Sequence, residues 1–401
     1  RRNRLQEIRR KQQLHITCVL TLLAGSAASA GAAEPSKPTA DGMLSDSGVR
    51  GGLVVGIGCG DPALLAELGA RKSYLVHGLD VDRKRIDTAR KQIMAKGLYG
   101  KVSAEVWDGK RLPYGDNIVN LLINTGTAEK IAGDEITRVL APRGVAMDVG
   151  GVKPSKTIKP VPANIDEWTH FMHGPDGNAS AKDSVVGFPR YLQWRAGPFW
   201  GRHHDTIQGI EAIVSAGGRI FYIVDEAEAS IGQSLPDKWM LVARDAFSGV
   251  RLWRKSMNEF GWKAWSPNKA LVQRFSNPKQ MHRRLAAVGD KVYVTLGFDA
   301  PVSILDGATG RLIRTCEGTQ AATEIIHHAG KLILGVKRKP TEGRSHAIMA
   351  VEPSTGEVLW ETDKYKGCAG LYSGIPDLLI TAGGKQAFFM DENALIGLDL
   401  D

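Results

Sequence analysis

The sequence has no adjacent cysteine pair and no Cys-x-x-Cys motif; its four cysteines, Cys18, Cys59, Cys316 and Cys368, are scattered. That excludes a disulfide-dense scaffold and a cysteine-based zinc centre. Cys316 and Cys368 are free to pair, but nothing in their spacing requires it. Long hydrophobic runs are missing too. The apolar stretch from Ile16 to Leu23 is too short for an ordinary membrane span, and no other segment is long and apolar enough to be one. A large charge surplus is also absent once the first 30 residues are set aside. The net charge is +9, but six Arg and Lys against one Glu precede Gly31, leaving 46 basic and 42 acidic residues. Little remains of the electrostatic footprint of a nucleic-acid binder.

The basic residues Arg1, Arg2, Arg4, Arg9, Arg10 and Lys11 precede that apolar run, and Ala28-Ser29-Ala30 follows it. This order is that of a secretory signal over residues 1–30, and it implies an exported, periplasmic or cell-envelope protein. Cys18 lies inside the apolar run rather than at its end, which argues against a lipoprotein site. Residues 31–50 are rich in Pro, Ser, Asp and Gly and read as a linker. With 401 residues the chain exceeds one ordinary core, so two further domains are expected.

The first is organised around Leu53-Val54-Val55-Gly56-Ile57-Gly58-Cys59-Gly60-Asp61-Pro62. A β-branched apolar run meets closely spaced glycines, and the helical pattern Ala63, Leu64, Leu65, Leu68 follows. This predicts a buried strand, a tight turn and a helix start, with Asp61 as N-cap and Pro62 in the first turn. Gly58 and Gly60 carry no Cβ, so a ligand can approach the backbone at a positive helix end. A second strand ends on Asp80, 22 residues after Gly58, where a ribose hydroxyl pair is usually held. A third runs from Val102 to Trp107-Asp108-Gly109. Leu112-Pro113-Tyr114-Gly115-Asp116, the apolar run from Ile118 to Ile123, and Arg138-Val139-Leu140-Ala141-Pro142-Arg143-Gly144 complete the series. A dinucleotide G-x-G-x-x-G read from Gly56 fails at Asp61.

As a set, these segments over residues 53–149 resemble the class I S-adenosylmethionine-dependent methyltransferases. The resemblance implies an α/β Rossmann-like domain over 51–150 that binds S-adenosylmethionine. Gly58 and Gly60 would lie beside its methionine part, Asp80 on its ribose and Asp108 near its adenine amine. With Gly56 these form the candidate cofactor-binding set; no catalytic residue and no metal ligand is assigned. The family acts mainly by holding donor and acceptor in line. The chain departs from it at Gly56, where an acid is usual, at Pro62, where a further glycine is usual, and at Asn120, where aspartate is common. No Asn-Pro-Pro-Tyr signature is present, so the acceptor is not named.

Residues 151–205 read as a junction. Beyond it, short β-rich runs recur, each opened by a glycine or aspartate turn: Gly218–Val224, Asp290–Thr295, Gly330–Gly335 and Gly384–Met390. Each of the first three leads to an acid-x-x-(Ser/Thr)-Gly turn, at Asp245–Gly249, Asp306–Gly310 and Glu352–Gly356. Trp253 and Trp360 follow two of these by four residues. Repeats of this length with such turns predict propeller blades, with the Trp packed between neighbours. They resemble pyrroloquinoline-quinone-type β-propeller repeats. The fold class expected is therefore a Rossmann-like domain followed by an all-β propeller, incomplete in this chain at about three and a half blades over 206–401. The fusion resembles exported proteins of planctomycete-type bacteria, with Ile165–Asn178 and Trp194–Asp205 as its junction. Quinone binding is not expected, since the adjacent cysteine pair of quinone dehydrogenases is missing. A protein partner for the propeller is. His170, His173, Asp166, Glu167 and His203-His204-Asp205 have metal-ligand chemistry, but a hydrogen-bonded junction explains them as well. Two functions follow: methyl transfer, or a non-enzymatic exported scaffold that keeps a degenerate methyltransferase fold.

Overall fold

A run that is apolar on both faces can be buried only as a strand covered on both sides. Leu53–Ile57 is such a run, and all six residues of β1 (Gly52–Ile57) are buried. The computed structural model describes residues 39–400 except 127–130, 152–153, 189–190, 198–209, 229–237, 258–280 and 370–375. The expected leader, and His203, His204 and Asp205, lie outside the described residues. Among those described, no helix is long and apolar enough to cross a membrane.

After α1 (Ala40–Ser47), the chain alternates β1, α2 (Pro62–Ala70), β2 (Tyr74–Asp80), α3 (Arg83–Ala95), β3 (Val102–Val106), β4 (Val119–Asn124), α4 (Gly133–Val139), β5 (Leu140–Asp148) and β6 (Ser155–Ile158). Asp61 caps α2, its carboxylate accepting the Ala63 N–H at 3.1 Å, with Pro62 opening the helix. Asp82 does the same for α3 through the Lys84 N–H. The strand order is β3-β2-β1-β4-β5-β6, parallel except for β6, which runs antiparallel to β5. Within the junction expected over 151–205, Ser155–Ile158 pairs with Val145–Asp148 and closes that edge of the sheet.

The even residues of β1 face α1, α2 and α3, packing Val54, Val76, Leu121, Ile123 and Val145 against Leu65, Leu68, Ile86 and Ile93. The odd residues, Leu53, Val55 and Ile57, meet Trp107, Leu112, Ile131 and Val139, with Val250 of the second half at the rim.

That second half is a series of antiparallel meanders. The first is β7 (Ile210–Ala216), β8 (Arg219–Asp225), β9 (Trp239–Asp245) and β10 (Arg251–Ser256). The second is β11 (Leu285–Val288) to β14 (Leu312–Cys316), with β12 (Lys291–Thr295) and β13 (Val302–Asp306) between. The third is β15 (Ala322–His328), β16 (Lys331–Thr341), β17 (Arg344–Glu352) and β18 (Glu357–Glu361). A short ladder, β19 (Cys368–Ala369) with β20 (Pro376–Asp377), leads to a three-stranded sheet, β21 (Thr381–Gly383), β22 (Gln386–Asp391) and β23 (Ala394–Asp399). First strands of successive sheets are neighbours: β7 lies beside β11, β11 beside β15, and β15 beside β21.

Trp253 joins two meanders as expected. Its indole donates to Gly307 O at 2.9 Å, and its ring fills the space a Gly310 side chain would need. Trp194 repeats this one step earlier, donating to Ala246 O at 3.0 Å and lying over Gly249. Arg314 takes the place at Gly356. Cys316 is a buried free thiol.

The junction is a strap across the first strands. Trp168 O accepts the Ser215 N–H of β7, and Thr169 O the Ala287 N–H of β11. His170 Nε2 accepts the His327 N–H of β15 at 3.0 Å, and Pro175 O the Ala382 N–H of β21. The first strands are tied in chain order, β7 twice, since the Trp168 N–H also donates to Ser215 Oγ at 2.8 Å.

Candidate functional site

In a parallel sheet of this order, ligands bind outside the carboxyl ends of the strands where the order reverses, between β1 and β4. The glycine loop lies there. Gly58 takes φ +89°, open to glycine at little cost, and its N–H donates to Leu79 O at 2.8 Å. The next amide, Cys59 N–H, donates to Asp80 Oδ2 at 2.7 Å, while Asp80 Oδ1 accepts the Asp82 N–H at 2.9 Å. Arg85 Nη1 stands 3.7 Å from the same Oδ2. The Asp80 carboxylate thus ties β2, the glycine loop and the start of α3 together, and it has no exposed surface. From the other side, the Thr125 hydroxyl sits 3.0 Å from Ile57 O and 2.9 Å from Gly58 O.

Cys59 turns inward. Its sulfur occupies the space over Gly78, and burial, with the Asp80 carboxylate adding to it, pushes its pKa up to about 12. It is a packing thiol, not a nucleophile. Gly56 sits beneath α2, where a Cβ would come within 2.6 Å of Leu65; its missing side chain lets the helix close on the sheet. Gly60 is exposed with open space around it. At the end of β3, Trp107 is buried and its indole donates to Arg111 O at 2.7 Å. Asp108 follows, exposed, with Oδ1 accepting the Lys110 N–H. The structure therefore brings Gly58, Gly60, Asp80 and Asp108 to the carboxyl ends of the strands, and leaves Gly56 within β1.

The partners of two groups could not be read from the sequence. His77 Nδ1 pairs with the Tyr114 hydroxyl at 2.8 Å, and its Nε2 lies 3.6 Å from Glu105. Burial lowers the His77 pKa and raises that of Tyr114. The trio holds the 107–118 segment on the sheet. The signal was a histidine two residues before Leu79, on the same strand face.

Asn120 is the second. Its departure from aspartate bears on packing, since it lies at the amino end of β4, opposite the glycine loop. Its Oδ1 accepts the Leu53 N–H at 2.8 Å, and its Nδ2 donates to Asp245 Oδ2 at 2.8 Å. The amide has to accept from one side and donate to the other, and a carboxylate cannot donate.

The junction histidines go to separate partners. His173 Nε2 pairs with Asp166 Oδ2 at 2.7 Å, while His170 binds β15. Among the described residues no three His, Cys, Asp or Glu converge as a metal site would require.

Residues 54–144 match the model of a family described as a methyltransferase domain. Among solved structures, the chain is similar to an S-adenosylmethionine-dependent methyltransferase of Aquifex aeolicus, at 20% identity and a TM-score of 0.25, covering 27% of this chain and 62% of that one. It is also similar to the geranyl diphosphate C-methyltransferase of Streptomyces coelicolor, solved with Mg2+, geranyl diphosphate and S-adenosyl-L-homocysteine, at 17% identity and a TM-score of 0.26. That match covers 27% of this chain and 43% of the other. No curated protein matches the chain. With the strand order above, the family match identifies the N-terminal part as a methyltransferase-like Rossmann fold.

Proposed function

We propose that the chain binds S-adenosylmethionine at the carboxyl ends of β1–β4 and transfers its methyl group to an acceptor brought by the second half. The observation that carries this reading is the joining of Asp80 to the glycine loop at the switch point, with Gly60 and Asp108 open beside it. The Gly58–Gly60 lip would receive the methionine part. Asp80 would receive the ribose hydroxyls, each oxygen keeping a second lone pair, once the half-exposed Arg85 side chain swings off it. Asp108 would reach the adenine amine. The sulfonium cofactor supplies an electrophilic methyl; the protein's part is to position the acceptor in line.

The meanders are, in this reading, successive blades of a quinone-type propeller that offers a protein-binding surface rather than a quinone site. The protein is exported to the periplasm or envelope through the leader at residues 1–30. A second reading is a non-catalytic exported scaffold. One observation favours it: the Asp80 carboxylate is fully enclosed and already accepts two backbone N–H groups.

Calorimetric titration with S-adenosylmethionine separates the two. Wild-type protein should bind in the micromolar range, and Asp108→Ala should weaken binding about tenfold, as loss of one hydrogen bond to a ligand does. Absence of heat in well-folded wild-type protein overturns the enzymatic reading and leaves the scaffold.

A further inference from the structure

At the amino ends of β1, β4 and β5, opposite the glycine loop, a cavity of about 290 Å³ lies between the parallel sheet and the first two meanders. Arg50, Arg143, Arg219, Asn120, Asp245 and Asp290 line it. Three observations set its chemistry.

First, the arginines converge. The point a Gly217 Cβ would occupy lies 2.9 Å from Arg219 Nη1 and 3.4 Å from Arg143 Nη1. Both guanidinium groups therefore approach the same point, where an anion would lower their mutual repulsion.

Second, the acids nearby leave one of the three arginines without an ion pair. Arg219 meets Asp290 at 2.8 Å and Arg50 reaches Asp306 at 3.4 Å, but Arg143 makes no ion pair among the described residues. Asp245 is committed elsewhere: Oδ2 accepts from Asn120, and Oδ1 from the Phe247 and Ser248 N–H groups and the Ser248 hydroxyl.

Third, Arg143 holds φ +68°, a left-handed backbone in which glycine would sit unstrained. Arg143 thus sets an exposed guanidinium at the lip of a cavity lined by two more arginines, on a backbone that glycine would adopt without strain.

We propose that this cavity binds a small phosphate-bearing anion across the seam. A tetrahedral dianion presents oxygens to guanidinium groups arriving from different directions: Arg50 and Arg143 from the parallel sheet, and Arg219 from the β7–β8 hairpin. A lone carboxylate offers two oxygens in one plane. The volume admits phosphate with a small organic group and stands near the lower end for ligand sites. The site shares no residue with the glycine loop, so it stands whether or not the chain binds S-adenosylmethionine.

The test is calorimetry and thermal unfolding of the full chain with inorganic phosphate and with glycerol 3-phosphate, at ionic strength held constant with chloride. Wild-type protein should show saturable binding and a rise in Tm with either probe. Tighter binding of the ester identifies an organic phosphate as the ligand, and equal binding identifies free phosphate. Arg143→Gly should weaken binding at least tenfold while leaving the ligand-free Tm unchanged or higher, because glycine suits that backbone. Arg143→Lys should lose less. Unchanged affinity in Arg143→Gly, no saturable response in wild-type protein, or tighter binding of succinate than of either phosphate would overturn the proposal.

Discussion

Asn120 shows how one amide can govern a seam. It accepts from β1 and donates to Asp245, 125 residues away in sequence, and both side chains are buried. Replacing it by aspartate keeps the shape and sets two carboxyls face to face. Burial already raises the pKa of Asp245. A carboxyl with a raised folded pKa stabilises the fold below its unfolded pKa, and that contribution is lost as pH rises through the folded value. Asn120→Asp should therefore cost about 3 kcal/mol at pH 7.5 and much less near pH 4, where the pair can share protons. Urea unfolding at the two pH values measures this; an equal loss at both would show that charge is not the cause. Asp61 and Pro62 were legible in sequence because a cap speaks to residues two or three away. The partner of Asn120 was not, because nothing local to either segment encodes it. Asp80 falls between. Its place at the strand tip could be read, but its closure onto the Cys59 amide depends on how two strands come into register.

Among the elements, strands and turns announced themselves through short-range pattern. The acid-x-x-(Ser/Thr)-Gly turns close as read, with Asp245 and Asp306 accepting the N–H and hydroxyl of Ser248 and Thr309. The strap at 166–175 has no period of its own. Trp168, Thr169, His170 and Pro175 answer to four different sheets, and its histidines have the chemistry of metal ligands without a local pattern to say otherwise. His170 has to stay neutral at Nε2 to accept the His327 N–H. Burial, with His327 and His328 nearby, pushes its pKa down to about 4 from 6.5. Asp176 opposes that shift, and His173 adds to it. A group with a depressed folded pKa stabilises the fold above its unfolded value, and that contribution is lost as pH falls through the folded one. Between pH 6.5 and about 4 the strap should loosen from β15. His282, half-buried against Phe171 and likewise pushed down to about 4 by desolvation, adds to the acid loss. His170→Asn, which can accept but not charge, should flatten the fall in stability across that window. Hydrogen exchange at the His327 amide reports it, and identical acid sensitivity in the variant would remove His170 from the account.

For the whole molecule, the two folds meet through a desolvated contact rather than a loose linker. Leu252 is buried and reaches over Gly51, where a Cβ would come within 2.6 Å of it. Ser73 Oγ donates to Leu252 O at 2.8 Å, and Val250 enters the same cluster as Leu53 and Val55. A seam that buries both apolar and paired polar groups couples the stability of its sides, since neither can melt without exposing the other. The parallel sheet has more to lose, because among the described residues its second face carries one short helix and borrows Val250 from the meanders. Scanning calorimetry of the full chain should show one transition. Leu252→Ala, at a cost of about 2–4 kcal/mol for a truncated core leucine, should split it, with the parallel sheet melting first and residues near Trp107 losing protection from proteolysis before the meanders do. Two transitions already present in the wild-type protein would show the halves to be independent, and the phosphate cavity between them would then be a cleft between separately folded neighbours rather than part of one cooperative unit.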